Sequence, residues 1–177
     1  MRAYRIFAAA CILGGVSMGA AALGAEPCLG AKGDISRESA LFDGSAAPLA
    51  AGKNVESAPT IAVDRLYRLD LVPQDQVRFA AQPGRSTLSD GYAGLATLTL
   101  DSAGAYRVAI DTPLWVDVVG NGELSPVRDF QALRGCEAPR KIVEFELSGG
   151  RQFVLQLSGS GRPAVRLTIT RAFSTAP

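Results

Sequence analysis

The chain has 177 residues, with 18 Lys and Arg against 17 Asp and Glu, and no His. That length holds one domain, and the near-zero charge gives no electrostatic pull toward nucleic acid or an anionic membrane. The missing His removes the commonest general base and the commonest neutral metal ligand, which excludes a Ser-His-Asp hydrolase, a Cys-His protease and a His-ligated zinc or iron enzyme; no cofactor is expected.

Met1 to Arg5 carries two positive charges, and Ile6 to Met18 is an apolar run that ends in small residues, the layout of a secretory signal peptide. Residues 1–25 are read as that signal, with cleavage after Ala22 or Ala25, and the product as periplasmic or secreted, with no membrane insertion after cleavage. An uncleaved anchor is the alternative, because Ile6 to Ala25 approaches the roughly 20 residues that span a bilayer. Loss of Arg2 and Arg5 leaves 16 basic against 17 acidic side chains, and Cys11 leaves with them. Cys28 and Cys136 remain, and an even pair in an oxidising compartment predicts one disulfide. Closing a loop of that length stabilises a fold by roughly 4 to 5 kcal/mol in the chain-entropy account.

Residues 26–59 are rich in Gly, Ala, Ser and Pro without a sustained period, and predict an irregular arm with at most one short strand near Ala40 to Phe42. From residue 60 to 171 a period of two dominates. Tyr67, Leu69 and Leu71 alternate with Arg68 and Asp70, and Val77 and Phe79 flank Arg78. Ala96, Leu98 and Leu100 turn through Asp101 to Gly104 into Tyr106, Val108 and Ile110, which reads as a hairpin. Leu114 to Val119 is apolar on both faces except at Asp117, and Gly120-Asn121-Gly122 is hairpin-turn chemistry. The return strand near Leu124 to Val127 contains Pro126 and belongs at an edge. Val143, Phe145 and Leu147, then Phe153, Leu155 and Leu157, then Val165, Leu167 and Ile169 close the pattern, and residues 172–177 form a tail. Leu66 to Leu71 and Ile142 to Leu147 echo each other and read as two similar hairpins. Eight or nine short strands between Gly-rich turns predict an all-β fold, a single antiparallel β-sandwich behind an irregular N-terminal arm.

Three groups of residues are candidates for binding. Arg68, Arg78 and Arg107 occupy the solvent phase of three strands, and on one sheet face their planar forks could grip a carboxylate or phosphate; the alternative is a solvated face paired with Asp70 and Asp117. Trp115, in the opposite phase to Leu114, Val116 and Val118, is expected to face outward beside Asp117, where an indole stacks on a sugar or a partner protein. The alternative is a ring in the core or under the arm. Pro83 to Gly94, with Arg85, Asp90 and Tyr92, is a polar loop of a length that suits binding, or an ordinary solvated connection. Ser-Lys chemistry needs a buried lysine, and Lys32, Lys53 and Lys141 all sit in turn-like or charged sequence. The reading is a non-enzymatic exported binding or accessory module for an envelope protein or glycan; a periplasmic enzyme using carboxylates is the alternative.

Tyr67-Arg68-Leu69-Asp70-Leu71, Ala103-Gly104-Ala105-Tyr106-Arg107-Val108 and the closing strands resemble the β-sandwich modules of secreted bacterial peptidases, the pre-peptidase C-terminal type. The shared feature is a Gly-containing turn leading into an aromatic-x-aliphatic strand. The block from Thr60 to Thr170, including Trp115-Val116-Asp117-Val118, also looks like a group of short exported proteobacterial proteins of unknown function, some of which carry a homogentisate dioxygenase label. Both resemblances imply a β-sandwich. The dioxygenase holds iron through His, which this chain lacks, so neither supplies a catalytic residue.

Overall fold

A computed structural model describes residues 28–85 and 90–172. The expected signal peptide lies outside the described residues, as do Ser86 to Ser89 of the polar loop and residues 173–177 of the tail.

Two six-stranded sheets face each other. The first runs in the order β1 (Ala47–Ala50), β3 (Tyr67–Asp70), β12 (Ala164–Arg171), β6 (Gly104–Ile110), β10 (Lys141–Leu147) and β9 (Val127–Ala132). The second runs β2 (Thr60–Ile61), β5 (Tyr92–Leu100), β11 (Arg151–Ser160), β7 (Trp115–Gly120) and β8 (Glu123–Leu124), with β4 (Val72–Pro73) also paired to β5. The period-2 signal thus leads to the all-β sandwich it predicts. Val108, Phe145 and Leu167 from one sheet meet Leu98, Phe153, Leu155 and Val118 from the other in a continuous core. Burying each such side chain contributes roughly 1.5 to 3 kcal/mol.

The N-terminal arm is irregular over most of its described length but carries two regular elements. A helix, α1 (Ser36–Phe42), stands where a strand near Ala40 to Phe42 was expected, and β1 follows it. The Asp34 carboxylate accepts from the Ser36 amide at 2.8 Å at the start of α1, and its seven residues, too few to be helical alone, depend on docking. Phe42 joins Leu66, Ala109, Leu133 and Ile142 in a second small core on the outer face of the first sheet. Buried Glu38 accepts from Thr170 Oγ1 at 2.6 Å. β1 and β2 also pair in parallel, with β3 and β5 respectively, so both sheets are mixed, not purely antiparallel. Cys28 and Cys136 lie at disulfide distance, with Cα atoms 5.1 Å apart, and tie the start of the arm to the connection between β9 and β10.

The expected hairpins need correction. β5 to β6 and β10 to β11 each turn from one sheet to the other, and β3 runs on through Leu71 into β4 of the second sheet. A tight turn reverses the chain whether it lies in the plane of a sheet or across the sandwich, and its residues do not distinguish the two. Gly120-Asn121-Gly122 does make a hairpin, β7 to β8, with Asn121 at φ 55° and Gly122 at φ 80°. Pro126 lies between β8 and β9 and marks another crossing. Val77 to Phe79 forms no strand; a 3-10 turn over Gln74–Gln76 leads into an extended segment there.

Candidate functional site

β7 sends Val116 and Val118 into the core and Trp115 and Asp117 to its other face, the phase the apolar alternation predicts. Neither side chain stands free in solvent, because residues 80–85 strap that face. Gln156, fully buried on β11, accepts from the amides of Ala80 and Ala81 at 3.2 and 3.3 Å and donates to the Ala81 carbonyl at 3.0 Å. Asp117, only 6% exposed, accepts from the Gly84 amide at 3.1 Å, the Gln156 side-chain amide at 3.4 Å and the Trp115 indole N–H at 2.9 Å. A Cβ on Gly84 would lie 3.0 Å from the Asp117 carboxylate and 3.3 Å from the indole nitrogen, so glycine lets the strap come this close. Asp117 is an anchor whose acceptors are committed, and Trp115 is half-buried.

β8 pairs only with Val119 and Gly120, so the Trp115 end of β7 has no strand beyond it among the described residues. Across the sandwich β9 ends the first sheet. Between these edges opens a cleft of about 840 Å³, lined by Trp115 and Val116 from β7, Val127 and Phe130 from β9, and Lys141 and Val143 from β10. That volume suits a small organic ligand. Val127 and Phe130 are 46% and 49% exposed, an apolar pair on an edge strand.

Lys141 is the polar centre of the cleft. Its Nζ donates to the Leu114 carbonyl at 2.9 Å and stands 5.1 Å from the Trp115 ring centre and 5.4 Å from that of Phe130. No carboxylate forms an ion pair with it among the described residues. Burial draws its pKa below the ordinary 10.5; the Asp117 carboxylate opposes the shift and the Arg85 guanidinium adds to it. Arg85 itself stands over the Trp115 ring at 5.9 Å. Sequence reasoning placed Lys141 in charged, turn-like surroundings; the structure corrects this. The alternation of Val143, Phe145 and Leu147 runs back two residues to Lys141 and aims it inward, and that extension is the signal that would have found it. Ser158 also lines the cleft, but its Oγ is sealed from solvent and makes no hydrogen bond among the described residues.

The structure does not gather the three arginines. Arg68 on β3 pairs with Asp70 at 2.8 Å. Arg107 on β6, beyond the intervening β12, meets Glu144 at 3.0 Å and Glu38 at 3.8 Å. Arg78 lies in the extended segment after the 3-10 turn and meets Glu56 at 3.1 Å. Each fork already faces a carboxylate of its own chain. Of the polar loop, Arg85 reaches the cleft, whereas Tyr92 opens β5 and packs on the core, and exposed Asp90 precedes it; neither lines the cleft. Among the described residues no group of three or more His, Cys, Asp or Glu is placed to hold a metal ion, and no helix is long and apolar enough to cross a membrane. No family model matches the chain and no curated protein matches it, so a reading of function rests on the cleft itself.

Proposed function

We propose that this chain is a non-enzymatic, exported binding module that holds its ligand in the cleft between Trp115 and Phe130. The observation that carries this reading is a half-buried ammonium without an ion-paired carboxylate among the described residues, set between half-buried Trp115 and the exposed apolar side chains of Val127 and Phe130 on the edge strand β9. Such an arrangement is costly to fold when empty, which supports an occupant. Export is supported by the signal-like layout of residues 1–25 and by the pair of cysteines at disulfide distance. Against catalysis stand the committed acceptors of Asp117 and the sealed Ser158 hydroxyl. A protein or glycan stacked flat on the indole is less well supported than a small apolar ligand, because Arg85 and Lys141 already stand over the ring.

The test is titration with the neutral dye N-phenyl-1-naphthylamine, which brightens in apolar surroundings. One saturable site is expected, with energy transfer from Trp115, the chain's single tryptophan. Val127→Phe, at an exposed lining position, should weaken binding by filling the cleft. Dye that binds Val127→Phe as tightly as the wild type, or that binds without energy transfer, would place the ligand elsewhere and overturn the reading.

A further inference from the structure

We infer that the ligand is an amphiphilic carboxylate whose hydrophobic body fills the cleft against Trp115, Phe130 and Val143 while its anionic group meets the Lys141 ammonium. This inference rests on the cleft reading above and adds the polarity and charge of the occupant.

Three observations converge on it. The first is unspent hydrogen-bonding capacity. An ammonium carries three N–H donors; one of Lys141's goes to the Leu114 carbonyl, and the Trp115 and Phe130 rings offer a negative face but no lone pair. A carboxylate supplies both the lone pairs and the opposite charge, and the pair strengthens where apolar walls exclude water.

The second is the charge of the walls. Lys141 is shared between the cleft and an adjoining hollow of about 340 Å³ that carries Arg134 and Arg140. Together the two hollows are lined by four cations, Arg85, Lys141, Arg134 and Arg140, and by no Asp or Glu; the one carboxylate that acts on Lys141, that of Asp117, is turned to the Gly84 amide and the Trp115 indole behind the wall. In a chain with 18 basic and 17 acidic residues, that local imbalance selects an anion and repels a cationic amphiphile.

The third is where the charge lies. The innermost cation is a single lysine between two aromatic rings, with Val127 and Val143 beside it, and the arginines stand in the adjoining hollow and at the strap. A highly charged or sugar-like ligand would find apolar walls opposite most of its polar groups, and a body of hydrocarbon would not.

The experiment follows Trp115 emission during titration with decanoate, decanol and decyltrimethylammonium at low ionic strength. Decanoate is expected to saturate one site, decanol to bind at least about tenfold more weakly, and decyltrimethylammonium weakest of all. Lys141→Met should bring decanoate down to the level of decanol measured on the same variant. The comparison of the three probes on the wild type needs no variant, so the inference stays testable even if Lys141→Met fails to fold. Decanol or decyltrimethylammonium binding as tightly as decanoate, decanoate undiminished in a folded Lys141→Met, or decanoate failing to bind while the neutral dye binds, each overturns the carboxylate inference and leaves the cleft reading standing. Absence of binding by all three probes and by the dye overturns both.

Discussion

Lys141 is the cleft residue whose titration bears on the stability of the fold. Its folded pKa is drawn below the ordinary 10.5, by burial first and by Arg85 as well, against the attraction of Asp117. The sign of the pH dependence follows. Between the lowered folded value and the unfolded one the unfolded chain binds more protons, so this group's contribution to stability improves as pH rises across that window. Below the window both states carry the proton and burying the charge costs the most. Lys141→Met removes the titrating group. The wild type is therefore expected to gain stability relative to Lys141→Met as pH climbs toward 10.5, read from urea midpoints at a series of pH values. A difference between the two proteins that stays constant over the series would show that Lys141 does not titrate differently in the fold.

The strap over residues 80–85 brings Arg85 to the cleft and is held down by two side chains, Gln156 and Asp117. Gln156 satisfies the Ala80 and Ala81 amides and the Ala81 carbonyl, and adds a contact to Asp117, all from a position with no solvent exposure. Truncation would leave those strap groups without their partner, at a cost of about 1 to 3 kcal/mol for each that stays buried. Gln156→Ala is expected to destabilise the protein by roughly 2 kcal/mol or more, and to speed hydrogen exchange at the Ala80 and Ala81 amides beyond the global change. Exchange there that rises no more than the global change would mean that other contacts hold the strap. The helix α1 depends on packing in a similar way, with Glu38 on Thr170 and the Arg166 guanidinium over the Phe42 ring at 5.4 Å.

At the scale of the whole molecule the arm and the sandwich are one unit. β1 extends the first sheet, α1 seals its outer face, and the Cys28 to Cys136 link joins residues 108 apart in sequence. Leu29 and Arg134 exchange backbone hydrogen bonds at 2.9 Å beside that link. Reduction is expected to lower stability by up to roughly 4 to 5 kcal/mol, a large fraction of what a domain of this size has to spare. Thermal melting with and without reductant measures it, and an unchanged midpoint after complete reduction would show that the arm is held by its packing alone.

The sequence by itself determined the sandwich and the cysteine pair and offered the phase that β7 adopts beside its inverse, because each follows from a local rule. Alternation at Val143, Phe145 and Leu147 needs one buried face, and Asn121-Gly122 needs a backbone that accepts positive φ. Its alternation also carried Lys141 inward, legible from Val143 had the strand been started two residues earlier. Only the tertiary structure decided which sheet each strand joins, that the arm builds a helix and a parallel edge strand, and that a strap covers Asp117. Ser36 to Phe42 has too few residues to be helical alone and becomes so against Leu66 and Ile142, far away in sequence. The turns after Leu100 and Leu147 have the same chemistry within a sheet or across two, and the choice falls to the packing of Phe145 on one sheet and Phe153 on the other into a shared core. The cleft exists for the same reason: β8 stops after two residues and β9 crosses to the opposite sheet, which leaves Trp115 and Phe130 facing a gap that no local stretch of sequence encodes.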